Sequence, residues 1–326
     1  MTTEAGATTL VDDAGILARA ERRRRTPLSS LVKFARRKPL GFLGLLIVAG
    51  FIVLALIAPA ITPFDATKSV GRPLESPGSV DPRTGKTFWL GTDATGQDVL
   101  SRVMQGSQIS LAIAFTVVTI NVVLGTLLGL IAGFYQGPVD YVIQRSGEVW
   151  SAFPQLIALL LIVSVLGTPH TTGGNLLSIS WDLRNLIFAF SIGAVFGGSR
   201  IIRGITLSLK QNDYVLAARA IGAGDRRIIL SHILPNTMPI VIITATAGVG
   251  AVILGEAALS FLGLGVAPGT PSWGQDLSGR NRLFMLSAPW VVLAPGIAIS
   301  LVVPGFNLYG DALRDILDPR LRGTRG

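Results

Sequence analysis

The stretch Leu40–Ile61 (LGFLGLLIVAGFIVLALIAPAI) carries no charged residue. In water such a run leaves apolar surface uncovered on every side. As a helix rising roughly 1.5 Å per residue, it crosses a hydrocarbon core of about 30 Å. Similar runs follow at Ser107–Phe134, Tyr141–Leu166, Asn185–Leu209, Asn236–Leu264 and Ala288–Tyr309. The pattern predicts an all-α polytopic membrane protein with six transmembrane helices. Composition agrees, since 14% of the residues are charged against about 25% in soluble domains.

Net charge is +9, which in a soluble chain would raise the question of nucleic acid. Here the basic residues flank apolar runs: Lys33, Arg36, Arg37 and Lys38 before the first span, and Arg200, Arg203 and Lys210 at the end of the fourth. That placement reads as topology and contact with anionic lipid headgroups in the bilayer, with no nucleic acid partner. It puts both the N- and C-termini in the cytoplasm. The expected organisation is a basic cytoplasmic tail (1–38), the first span (39–61), an extracytoplasmic loop (62–106), a five-helix core (107–310) and a cytoplasmic tail (311–326). The absence of cysteine excludes disulfides and thiolate-bound metal.

Within the outward loop, GKT at 85–87 invites a phosphate-loop reading. That motif needs glycine at position 80, which is Val80, and no strand–helix context surrounds it. The chain is therefore expected to hydrolyse no ATP. Gly125, Gly129 and Gly133 stand four apart on one face of the second span, and Gly193, Gly197 and Gly198 lie in the fourth; both sets admit close helix packing. His170, alone in the second outward loop, has no ligand-spaced companion and is expected to be solvated. Two acids lie in apolar runs. Glu148 is either a pathway residue or an acid near the cytoplasmic boundary paired with Arg145. Glu256, deep in the fifth span, either lines a pathway or bonds within the bundle.

The break between the fourth and fifth spans, Gln211–Pro235, has its own logic. Asn212 or Asp213 can cap a short helix. Ala217, Ala218 and Ala220 favour it with little bulk, and Gly222 or Gly224 can end it in a left-handed conformation. Asp225 can cap a second turn carrying Arg226, Arg227, Ile228 and Ile229, and Pro235 opens the next segment. The outcome is a small-faced basic helix–turn–helix at the membrane surface, suited to docking.

Ala217-Ala218, Gly222 and Leu234-Pro235 stand at the spacing of the EAA loop of ABC-importer permeases, E-A-A-x3-G-x9-I-x-L-P. The surrounding DYVLAARAIGAGDRRIILSHILPN resembles the oligopeptide/dipeptide/nickel permease family of the OppC/DppC type. Three further segments resemble it in order: 90–111, 254–274 (with SFLGLG and PSWG) and 310–322. Leu216 stands where the motif has Glu and His232 where it has Ile; Gln97 and Gln108 stand where the family leads one to expect arginine.

The resemblance implies the type I ABC-importer permease fold in a bacterial cell membrane and import of peptides or a related small solute. It also implies partners: a second permease, two ATPase subunits that bind the ATP and Mg, and an extracytoplasmic solute-binding protein. No cofactor is implied in this chain. The coupling residues it implies are Asp213, Tyr214, Ala217, Ala218, Arg219, Gly222, Asp225, Arg226, Leu234 and Pro235, with Glu148 and Glu256 as pathway candidates. The competing reading is a self-contained ion- or proton-coupled carrier, which would use such acids but usually shows repeated halves. A membrane-embedded enzyme finds no catalytic constellation in the sequence.

Overall fold

The computed structural model describes residues 34–166 and 181–317. Lys33, the outward-loop His170 and the end of the 310–322 segment lie outside the described residues. Among the described residues the regular structure is helical apart from a two-stranded hairpin. The first span is α1 (Pro39–Ile61), followed by β1 (Ser79–Val80) and β2 (Thr87–Phe88). The second is continuous from α2 (Val99–Ile120) through a π turn (Asn121–Gly125) into α3 (Thr126–Tyr135). Next come α4 (Gly137–Ser151), α5 (Gln155–Leu166) and α6 (Trp181–Leu209). The loop carries α7 (Asp213–Ala220) and α8 (Asp225–Ile228), and a second π turn (Ile229–Ile233) leads into α9 (Leu234–Phe261). Short helices α10 (Trp273–Asp276) and α11 (Gly279–Leu283) precede the last span, α12 (Trp290–Leu317).

Among the described residues five helical paths are long and apolar enough to cross a membrane, or six if the bent pair α4–α5 is one span. The third span was expected to run unbroken over Tyr141–Leu166; instead α4 and α5 meet at 91°. Pro154 has no N–H to give back to a preceding turn, and its ring disfavours helix at Phe153, so the break falls at Ala152–Pro154. Gly137 follows the end of α3, and the Leu166 carbonyl accepts from Asn185 Nδ2 near the start of α6. The second span begins at Val99, earlier than the expected Ser107, because Asp98 caps it by accepting from Ser101 N at 2.8 Å.

The glycine ladder of the second span forms a seam with α6. A Cβ at Gly129 would lie 2.6 Å from Ile202 Cβ and 2.7 Å from the Ser199 carbonyl, and one at Gly133 would lie 2.8 Å from the Arg203 carbonyl. Small residues are what let these backbones meet. In α6, Gly193 and Gly198 abut Trp150 and Asn121, whereas Gly197 faces open space and serves no such packing. Gly129→Leu is expected to force the spans apart at a cost of about 1–3 kcal/mol. Thermal unfolding in detergent checks this; an unchanged midpoint would show that the seam tolerates bulk.

Both ends of the described chain lie on one face, where Lys38 pairs with Asp315. On the opposite face the loops before α2 and after α9 interlock. Arg102, buried at the mouth of α2, donates from Nε to Asp276 Oδ1 (2.7 Å), and from Nη1 to Gln97 Oε1 (2.5 Å) and the Ala66 carbonyl (3.0 Å). Trp290 Nε1 donates to the Thr92 carbonyl and Ala94 N to Asn281 Oδ1. Gln97 and Gln108 act as neutral bonding groups: Gln97 Nε2 donates to the Thr67 carbonyl and Gln108 Nε2 to the Ala55 carbonyl of α1. The GKT segment forms the turn and returning strand of the hairpin, with Gly85 at φ +68° and Lys86 Nζ donating to the Pro63 carbonyl.

Candidate coupling and translocation site

The loop between the fourth and fifth spans folds as a two-part elbow. Helix α7 starts at Asp213 with Asn212 at the N-cap position, though neither side chain makes a capping bond. It ends through paired bonds, Ala223 N to the Ala218 carbonyl (3.0 Å) and Gly222 N to the Arg219 carbonyl (3.0 Å). This closure requires a left-handed residue, supplied by Gly222 at φ +86°. Gly224, and not Asp225, occupies the N-cap of α8; Asp225 sits in the first turn, where its charge still complements the exposed N–H groups. Leu234 and Pro235 form the first turn of α9, directly after the π turn, so the path from Asp225 to Phe261 is helical throughout.

The underside of the elbow is apolar and buried. Val215, Ile228 and Ile233 pack with Leu130 and Phe134 of α3, Ile202 of α6 and Val241 of α9. Each such side chain contributes about 1.5–3 kcal/mol when fully buried, enough together to make the elbow move with three spans. Cations reinforce the join. Lys210 Nζ donates to the Phe134 carbonyl at 2.5 Å and lies 5.2 Å from the Phe134 ring centroid. The Arg219 guanidinium lies 5.8 Å from the same ring. Tyr214 packs beside His232, with ring centroids 6.4 Å apart. Arg203 and Asp140 form a two-pronged ion pair that ties α6 to α4 nearby.

The outer side is solvent-facing. Leu216, Ala217, Ala220, Arg226 and Arg227 are exposed, and Ile221 is 86% exposed at the tip. Ala218 is 6% exposed and points into the bundle. The two alanines of the motif therefore have different surroundings: Ala217 belongs to the outer face, and Ala218 permits the elbow to sit close to the spans.

The π turn of the second span and the break in the third border one cavity of about 500 Å³. Its polar lining residues are Asn121, Trp150, Ser151 and Gln155, and none of its lining residues is charged. Sequence reasoning missed Asn121 and Trp150; a lone amide side chain in an otherwise apolar span was the available signal.

The two acids are far apart in environment. Glu148 is exposed on α4 and pairs with Arg145 at 2.5 Å. Glu256 is 1% exposed. Its carboxylate accepts from Ser260 Oγ (2.9 Å), Ser272 Oγ (3.1 Å) and Ser110 Oγ (3.4 Å). These serines come from α9, from the turn before α10 and from α2, so Glu256 fastens the outer loop to two spans. Gly274 makes room for it: a Cβ there would lie 2.8 Å from Glu256 Oε1.

Residues 125–323 match the family described as binding-protein-dependent transport system inner membrane component. The chain belongs to this family. The permease is 38% identical to the dipeptide transport system permease protein DppC of Alkalihalophilus pseudofirmus over 298 residues, 91% of each chain. It is 39% identical to the glutathione transport system permease protein GsiD of Escherichia coli O6:K15:H31 over 299 residues, 92% of each. Against the GsiD of Pectobacterium atrosepticum it is 38% identical over 283 residues, 85% of this chain and 87% of the relative. These relatives place it in the OppC/DppC type. It is a multi-span inner-membrane transport component and not itself a catalyst, as its mostly helical fold and the resemblance of its loop lead one to expect.

Proposed function

We propose that this permease is one of two related subunits forming the translocation pathway of an ATP-driven importer of short peptides. The names of its relatives, dipeptide and glutathione permeases, support the solute class. ATP and Mg belong to two ATPase subunits on the cytoplasmic side, and a solute-binding protein delivers peptide from outside. The observation that carries the reading is the elbow: an exposed tip at Leu216, Ala217, Ala220 and Ile221 above a buried base shared with three spans. A contact made at the tip is thereby converted into a rigid-body displacement of helices. Arg226 and Arg227 add positive charge beside the tip, and Asp213 and Asp225 complement the helix starts. Glu256 acts in this reading as a fastening of the outer loop, and Glu148 as an interfacial acid neutralised by Arg145.

Purification of the tagged permease from its native membrane tests the reading. ATPase subunits and a second permease are expected to accompany it, and proteoliposomes of the complex are expected to take up a dipeptide only with ATP inside the cytoplasmic compartment. Uptake by the chain alone, driven by an ion gradient without ATP, would replace the reading with a secondary carrier.

A further inference from the structure

The cavity at the broken third span offers hydrogen-bond donors and no charge. Asn121 opens the π turn of the second span, and such turns inside helices are frequent at functional sites. Its Oδ1 is buried without a hydrogen-bond partner, pressed against Gly125 and Gly198. Asn121 lines the cavity, and with the oxygen sealed Nδ2 is the end of the amide left to serve it. Across it, the Trp150 indole lies with Nε1 over Gly193, where any Cβ would approach to 2.7 Å. Gln155, just past the break, is exposed at the rim. Val118, Phe153 and Phe190 supply apolar wall between these groups.

We propose that this cavity is a way station that holds a peptide by its amide carbonyl oxygen, with Asn121 Nδ2 and Trp150 Nε1 as the donors. This rests on the reading of the chain as a peptide importer's permease and adds which part of the solute is recognised and where. A carbonyl oxygen needs only N–H donors, and every peptide presents one whatever its side chains. The aromatic and aliphatic wall accommodates the neighbouring side chain without selecting its charge. The site thus grips what peptides share and leaves discrimination to other parts of the importer.

The test compares uptake of a dipeptide with uptake of the analogue whose amide oxygen is replaced by sulfur, a weaker acceptor of unchanged charge. The complete importer is reconstituted with its ATPases and binding protein. The wild type is expected to show a KM about fivefold lower for the oxygen peptide, the value of one net hydrogen bond. Asn121→Leu is expected to bring the two KM values together, and Trp150→Phe to narrow the gap. If Asn121→Leu does not assemble, Trp150→Phe, which keeps the ring, carries the comparison. A structural role alone would lower kcat for both solutes and leave their KM ratio as in the wild type; that result overturns the proposal. Absence of ATP-dependent uptake of either peptide by the wild-type importer overturns the peptide reading and this site together, so the two failures are told apart.

Discussion

Ile221→Glu is expected to reduce ATP-driven uptake at least about a hundredfold while the permease still inserts and folds. Ile221 is 86% exposed at the tip of the elbow and touches nothing that maintains the bundle. In an assembled importer that tip would be covered, and a carboxylate there would be buried without a partner at a cost of several kcal/mol. Loss of a few kcal/mol from one contact is a factor of hundreds in its occupancy. Measuring uptake beside thermal stability separates coupling from folding; normal uptake by the variant would remove the tip from the coupling surface. A bulky residue at Ala218 makes a poorer probe, because its side chain would enter the space beneath the elbow and disturb the spans directly.

Arg102→Ala is expected to destabilise the outer face by about 3–5 kcal/mol at neutral pH, the usual cost of stranding one member of a buried ion pair. The guanidinium joins Asp276, Gln97 and the Ala66 carbonyl, so its loss undoes the tie between the two outward loops. The effect has a pH signature. Burial raises the Asp276 carboxyl from the ordinary value of 3.8 to about 6; Arg102 opposes that rise and Asp93 adds to it. A carboxyl raised in the folded state contributes its stability below about pH 4 and loses it as the pH climbs toward 6. Above that range the wild type depends on Arg102 to hold the ionised group. Without Arg102 the acid titrates higher still. The gap between variant and wild type should therefore narrow as the pH falls from above neutral toward about 6 and stay smallest below that, where the acid is neutral in both proteins. Unfolding midpoints of both proteins across this range provide the measurement, and a gap that does not narrow in acid would count against Asp276 as the group involved.

Much of this architecture was legible because bilayers impose length on apolar runs, and because the loop between the fourth and fifth spans interrupts them with its own turn chemistry. Gly222 and the alanines marked that loop correctly as a short helix with a glycine stop. Orientation was not legible. Ala217 and Ala218 are the same residue type, and nothing in their identity says that one faces outward and the other inward. The right-angled third span was equally hidden: α5 is apolar all round, so periodicity gives no direction, and Pro154 marks a kink without fixing its size. The surroundings of Glu256 come from Ser110, Ser260 and Ser272, which only the tertiary fold collects. Asn121 was overlooked because a single amide between Ile120 and Val122 does not disturb a hydropathy pattern.

The unbroken helical path from Asp225 to Phe261 gives the permease a lever. Its 37 residues extend for about 55 Å at the usual rise, with the foot in the elbow and Glu256 near the head. A rod of that length tilting by about 5° about its foot swings its head through about 5 Å, nearly a full helical turn. The turn before α10, held by Glu256 through Ser272, would travel with it, so a small rocking at the elbow would arrive at the other end already magnified.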